Sequence, residues 1–298
     1  MADGEVAEPV VVKIGGARAV DPAGVLADVA AVVEDGTEIV VVHGGSTAVD
    51  DALERMGIEP EYVETPSGVV GRFTDAETMD VFTMALAGRV NTDLVTGLRN
   101  EGVDAVGLSG VDGGLLTGPR KSAVRVLEDG TKKIRRGDHS GRIESVDTDL
   151  VETLLANGYT PVASPPMLAD DVADQRSADG ETASRQCLAV NTDADRASAA
   201  VAAALAGTLV SLTDVAGVYR DPDDPGTVID RVETPDEYDE LTDAAEGFMD
   251  RKVMAATEAL EGGASEVVVA DANAEPPVRS ALSGGGTHIL PEAVGGVE

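Results

Sequence analysis

Two glycine pairs and two lysines are the residues of this chain best suited to chemistry. Gly15-Gly16 and Gly44-Gly45 each follow a short apolar run, Val10–Ile14 and Ile39–Val42. Glycine lets backbone N–H groups approach an oxyanion closely, and a helix N-terminus adds a favourable dipole. Tight packing alone would also use such pairs. Neither loop fits GxxxxGK(S/T) or GxGxxG, which disfavours a P-loop NTPase or a Rossmann dehydrogenase. Lys13 lies inside the first apolar run, one residue before a glycine pair. A buried ammonium must be paired or functional, and here it could meet a phosphate. Lys252 opens a predicted helix after Phe248-Met249, where an exposed helix lysine is the local alternative. In Asn191-Thr192-Asp193-Ala194-Asp195, a polar side chain could cap the helix that follows. The same groups could bind a substrate carboxylate and orient a lysine. Leu212–Val218 closes an apolar run with a polar turn, either a nucleotide loop or a plain turn.

Strands and helices must alternate to bring these residues together. Apolar runs at Val10–Ile14, Ile39–Val42, Ala105–Leu108, Thr160–Ala163, Thr208–Leu212 and Glu266–Ala270 read as strands. Helical patterns cover 22–33, the stretch up to about Met56, Asp193–Ala206 and Met249–Gly262. Strand, glycine turn and helix in repetition predict an α/β fold on a mainly parallel sheet. Such loops gather at the carboxyl ends of the strands, where ligands bind. Residues 115–147 break the rhythm. Ala123–Leu127 and Lys132–Arg136 flank Asp129-Gly130, which predicts a β-hairpin excursion.

Composition narrows the function classes. The chain has 298 residues and 43% hydrophobic content, enough for a core. No apolar stretch approaches a membrane span. MADGEVAEP lacks a signal core, so no export and a cytoplasmic location are expected. Cys187 is the single cysteine, which excludes an internal disulfide framework and a Cys-rich zinc site. The net charge of −33 would repel nucleic acid and anionic membranes. With 55 acidic residues, 17 arginines, five lysines and 2% aromatics, the surface reads as one adapted to high salt. A composition that avoids lysine gives added weight to those that remain. Eight of the 22 basic residues fall between 120 and 142: Arg120, Lys121, Arg125, Lys132, Lys133, Arg135, Arg136 and Arg142. This island is either a solvated hairpin balancing local acid or a docking surface for an acidic partner.

From Val10 to Ile289 the chain resembles the amino-acid kinase family, and within it the acetylglutamate kinase group. The resemblance is carried by VVKIGG (11–16), VVHGGS (41–46), GRFTDAET (71–78), GLSGVDG (107–113), VNTDADRA (190–197), SLTDVAGVY (211–219) and GFMDRKV (247–253), in that order. It implies a three-layer αβα sandwich forming a single domain over 1–298. An N-terminal lobe of about 10–180 would take the carboxylate substrate, and a C-terminal lobe of about 181–298 the nucleotide. It implies ATP, accompanied by Mg²⁺, as phosphoryl donor, and no metal site of the protein's own. Lys13 and Lys252 would neutralise the transferring phosphoryl group, with Asp195 holding both. Gly15, Gly16, Gly44 and Gly45 would contact phosphoryl groups and the attacking carboxylate. Arg72 and Asn191 would hold the substrate's backbone-derived carboxylate. Thr213, Asp214, Val218 and Tyr219 would lie along the nucleotide. The chemistry is consistent with a chain of three histidines, because a carboxylate nucleophile needs no catalytic base at neutral pH. Ser46 departs from the third glycine usual after His-Gly-Gly.

RKSAVRV (120–126), KKIRRGDHSGRIE (132–144) and Gly71–Asp75 are similar to the subgroup whose substrates ride on a small acidic amino-group carrier protein, the LysW type. That implies phosphorylation of the side-chain carboxylate of carrier-linked 2-aminoadipate or glutamate. The docking residues would be Arg120, Lys121, Arg125, Lys132, Lys133, Arg135 and Arg136. A homodimer from a halophilic archaeon, without arginine feedback and without a ring-shaped hexamer, is the accompanying expectation. A free N-acetylglutamate kinase is the alternative substrate reading. A non-catalytic ligand sensor on the same scaffold is the alternative class, and the joint presence of Lys13, Asp195 and Lys252 argues against it.

Overall fold

The computed structural model describes residues 8–15, 22–66, 68, 70–128, 130–171, 186–245 and 247–295. Strand β1 (Val10–Ile14) is followed by α1 (Pro22–Glu34), β2 (Ile39–His43) and α2 (Ser46–Met56). A short hairpin of β3 (Tyr62–Glu64) and β4 (Val70–Arg72) precedes α3 (Ala76–Phe82), a wider π-helical segment (Thr83–Val90) and α4 (Asn91–Asn100). Strand β5 (Ala105–Gly110) leads into the long hairpin of β6 (Leu116–Glu128) and β7 (Thr131–Gly141). Next come β8 (Ser145–Val146), α5 (Thr148–Ala156), β9 (Thr160–Asp171) and β10 (Gln186–Val190). The remainder is α6 (Ala194–Ala204), β11 (Thr208–Thr213), β12 (Arg231–Val232), α7 (Pro235–Ala244), α8 (Phe248–Glu261), β13 (Glu266–Asp271), α9 (Pro277–Leu282) and β14 (Thr287–Ile289).

The main sheet runs β12-β14-β13-β11-β1-β2-β9-β6-β7, with β5 and β10 on β9 and β8 on β6. The central strands β13, β11, β1, β2 and β9 are parallel. All five residues of β1 are buried, as are all five of β2. Both faces of these strands are covered by helices, which is why they read as continuous apolar runs. Val10, Val12 and Ile14 pack with Val25, Val29 and Leu98 on one face. Val11 packs with Ala197, Val201, Val253 and Ala256 on the other. Side chains alternate along a strand, so Lys13 shares the Val11 face, which α6 and α8 cover. Buried Asp28 of α1 accepts from the backbone N–H of Val278 and of Arg279 (2.7 and 2.9 Å), fastening α1 to α9.

The α/β class with a mostly parallel sheet is borne out, and each expected strand is present. The hairpin is longer than the two runs that predicted it. Strand β9 continues well past Ala163 because its second half gains new neighbours, β10 antiparallel and β6 parallel. The antiparallel β13/β14 pair and the β3/β4 hairpin were not anticipated. Strands of three residues carry too little periodicity to stand out.

Candidate active site

The carboxyl ends of β1, β2 and β11 lie side by side. The Gly44 N–H donates to the carbonyl of Ile14 at 3.0 Å, tying the loop after β2 to the end of β1. A Cβ on Gly15 would stand 3.6 Å from the Leu212 carbonyl of β11 and 3.9 Å from Lys13 Nζ. Gly16 lies outside the described residues. A cleft of about 460 Å³ opens here, lined by Lys13, Gly44, Gly45, Arg72, Asn191 and Asp195 among others. Lys121, Arg142, Arg196 and Arg251 add positive charge to its walls. In a chain of net charge −33, such a cleft focuses anions.

Its floor is an ion cluster. Lys13 Nζ lies 2.6 Å from Asp195 Oδ1, and Lys252 Nζ lies 3.5 Å from the same oxygen. The cap and the carboxylate of the Asn191–Asp195 segment are separate residues. Asp193 accepts from the N–H groups of Asp195 and Arg196 (2.9 and 3.2 Å) and starts α6, which leaves the Asp195 side chain for the lysines. Burial opposes ionisation of Asp195, but the charges of Lys13 and Lys252 outweigh it and hold its pKa below the ordinary carboxylate value. Burial, then repulsion from Lys13, pull the Lys252 ammonium below its ordinary value against the attraction of Asp195. Two ammonium groups on one carboxylate leave a net positive charge with room for an anion above it.

Arg72 reaches the cleft from β4. Its guanidinium pairs with Asp50 and donates to Tyr62 Oη at 3.2 Å, with its centre 5.3 Å from the Phe82 ring. Its Nε is buried and has no partner among the described residues. The Asn191 amide donates weakly to Thr74 Oγ1 (3.4 Å), and its backbone bonds to His139 and Gly141 at the foot of the β6–β7 hairpin. Arg251, beside Lys252 on α8, donates to the Val70 carbonyl at 3.0 Å and so ties α8 to the strand that carries Arg72.

The loop after β11 is held firmly. Thr213 Oγ1 donates to Asp214 (3.2 Å), and Tyr219 Oη accepts from the Ala216 N–H (3.1 Å). Val218 is held on both sides of its backbone. Its side chain is buried, its N–H donates to Thr287 Oγ1 (2.8 Å), and its carbonyl accepts from Ile229 N–H. With its N–H and one lone pair of its carbonyl engaged, Val218 braces the loop. Thr213, Asp214, Val218 and Tyr219 all remain candidates.

The hairpin that carries the basic island rises from the cleft wall, where Lys121, Ser140 and Gly141 line the cavity. Its register divides the cations between two faces. Val126, Lys133 and Arg135 share one face. There Val126 is buried, Lys133 pairs with Glu128 (2.7 Å), and Arg135 pairs with Glu61 (2.6 Å) while lying 4.9 Å over the Phe73 ring. Arg135 therefore anchors the hairpin to the body. Arg120 is also engaged, donating from Nε to the Asp138 carbonyl at 2.7 Å. Arg125, Lys132 and Arg136 share the opposite face and are exposed, without an ion pair among the described residues. Ile134, directly across from Arg125, is 66% exposed at their centre.

Residues 8–271 match the sequence model of the Amino acid kinase family. The chain belongs to that family. It is 42% identical over 286 residues to a LysW-aminoadipate kinase of Thermus thermophilus, covering 94% of this chain and 99% of that one. It is 39% identical over 282 residues to an acetylglutamate kinase of Methanopyrus kandleri, covering 94% and 99%. Among solved structures, N-acetylglutamate synthase of Neisseria gonorrhoeae superposes with a TM-score of 0.70 at 24% identity. That match spans 95% of this chain and 59% of the synthase, and it speaks to the fold alone. Among the described residues no helix is long and apolar enough to cross a membrane.

Several site groups were missed at the level of sequence. His43 sits inside a recognised motif, but the glycines beside it drew the chemistry. Asp50 and Asn91 lie on helices with no local signal. Arg251 was hidden behind its neighbour Lys252.

Proposed function

We propose that this amino acid kinase transfers the γ-phosphoryl group of ATP to the side-chain carboxylate of 2-aminoadipate, glutamate or both, each linked to a small acidic carrier protein. The Lys13–Asp195–Lys252 cluster, with Lys13 buried beneath a cationic cleft, carries the reading for the chemistry. The Thermus relative's name supports the substrate. A carboxylate oxygen attacks the γ-phosphorus, the bond to the β,γ-bridging oxygen breaks, and ADP leaves with that electron pair. The product is an acyl phosphate, and no proton moves. Catalysis then consists of positioning and charge stabilisation. Lys13 and Lys252 offset charge on the transferring group, and Asp195 fixes them. The buried, unpartnered Nε of Arg72 is a donor suited to the carboxylate of the substrate's own backbone, with Asn191 beside it. The nucleotide would lie along Gly15 and the Thr213–Tyr219 loop. Mg²⁺ would enter with ATP, held by phosphate oxygens and water.

The carrier would dock on the outer hairpin face. Arg125, Lys132 and Arg136 supply free positive charge, and Ile134 an apolar centre that salt does not screen. Arg125→Glu with Arg136→Glu is expected to raise KM for the carrier-linked substrate by about tenfold or more at low salt. KM for ATP and the melting temperature should stay unchanged, because neither arginine has an ion pair among the described residues. An unaltered KM for the carrier-linked substrate at low salt would remove the hairpin from docking.

The free N-acetylglutamate reading keeps some support from the Methanopyrus relative. A cytoplasmic homodimer, as in the resemblance, completes the proposal. So does adaptation to high salt, supported by 55 acidic against 22 basic residues. Self-repulsion at that charge is screened only in concentrated salt. The urea midpoint is therefore expected to climb steadily from low to molar KCl. A flat response would refute the adaptation.

A further inference from the structure

Glycine gives Gly44-Gly45 freedom to turn its peptide planes either way, yet a phosphate cradle needs one orientation. Two side chains impose one. His43 Nδ1 lies 2.8 Å from the Gly44 carbonyl oxygen, and Nε2 lies 3.1 Å from Asn91 Nδ2. A carbonyl only accepts, so Nδ1 must carry the proton. Asn91 Nδ2 also lies 2.7 Å from the Val162 carbonyl, so this end of the amide is its NH₂ and donates to Nε2. The network admits one form of the ring, neutral with the proton on Nδ1. Burial agrees, since it lowers the His43 pKa to about 4 against the opposing hydrogen bond to Gly44. Asn91 is itself wedged, because its Oδ1 stands 2.1 Å from where a Cβ at Gly107 would be.

The Gly44–Gly45 peptide is trans, so its carbonyl and its N–H point to opposite sides of one plane. The carbonyl is drawn to His43. The Gly45 N–H is thereby turned away from the His43 side. His43 shares the Val41 face of the sheet, while Lys13, in the cleft that both glycines line, is on the opposite face. Leu86, which also lines the cleft, packs against the loop, where its Cδ2 would be 2.5 Å from a Cβ at position 45.

We propose that His43 and Asn91 are positioning residues for phosphoryl transfer, locking the Gly44–Gly45 peptide so that the Gly45 N–H faces the transferring group. This rests on the kinase reading of the same cleft. A flipped peptide would present the Gly44 carbonyl to an anion and replace attraction by repulsion.

Two measurements test the lock. The protein has three histidines, so ¹⁵N-histidine spectra are simple, and the His43→Asn variant assigns the signal. The neutral Nδ1–H tautomer is expected for His43 at neutral pH. The Nε2–H tautomer, or a cation, would overturn the lock whether or not the enzyme is active. In the second, asparagine places its amide near the position of Nδ1, and glutamine places its amide near Nε2. His43→Asn keeps the donor to Gly44 and is expected to hold kcat within about tenfold of the parent. His43→Gln loses that donor and should lower kcat by about 10²-fold or more, with KM for ATP little changed. Melting temperatures of the two should be similar. Equal losses of kcat, or losses that follow stability, would overturn a positioning role. Failure of the parent to phosphorylate any carboxylate would instead strike the kinase reading, and the tautomer alone would then decide the lock.

Discussion

Lys252→Ala is expected to lower kcat by about 10²–10³-fold while KM for ATP shifts only a few-fold. In the proposed reaction this ammonium meets charge that grows on the phosphoryl group, so its contact strengthens in the transition state and is lost there. The same substitution should leave the melting temperature unchanged or raise it. Lys252 is a cation whose pKa is pulled down by burial and by Lys13. A lysine with a depressed folded-state pKa costs stability at every pH below that pKa, and the cost fades as pH rises toward the ordinary lysine value. At neutral pH its removal therefore takes away a strained charge. Steady-state kinetics alongside a thermal melt separate the two effects. An unchanged kcat would refute the catalytic role, and parallel losses of kcat and stability would make Lys252 a packing residue.

Asp195→Ala should act in the opposite direction on stability. It leaves two ammonium groups facing each other in a site where Lys13 is only 5% exposed. Removing one partner of a buried ion pair typically costs about 3–5 kcal/mol. Asp195→Asn keeps the shape and isolates the charge. Without the Asp195 carboxylate, Lys252 loses the attraction that resists its deprotonation. The alkaline limb of kcat/KM is then expected to move to lower pH in Asp195→Asn. A limb that stays in place would mean that Asp195 does not control the lysines. The carboxylate's own contribution has the usual sign for a depressed group. It is present above the unfolded carboxylate value and lost as pH falls through the folded one.

The central fold was legible because its strands are buried on both faces and written as apolar runs, β1 and β2 above all. Lys13 stood out for the same reason, as a charge in a run of valines. The pairing of Lys13 with residues far along the chain followed from the family resemblance, since periodicity gives the face of β1 but not the helix that covers it. The basic island was visible as composition. Its division into an anchoring face with Arg135 and a free face with Arg136 was not, because that depends on register and on Glu61 and Phe73 brought in from elsewhere. The brace on Val218 was not legible for a related reason. The Thr287 hydroxyl that accepts from its N–H comes from β14, far along the chain. The His43–Asn91 contact spans 48 positions and joins a strand end to the first residue of α4, a relation that no local pattern encodes.

The measurement that bears most directly on the proposed activity is ATP-dependent acyl-phosphate formation, trapped as the hydroxamate by hydroxylamine in concentrated salt. Carrier-linked 2-aminoadipate, carrier-linked glutamate and free N-acetylglutamate would be compared side by side. Hydroxamate from one or both carrier-linked acids, with little from the free one, is the expected result. Hydroxamate from free N-acetylglutamate alone would contradict the carrier-linked substrate, and none from any carboxylate would contradict the kinase.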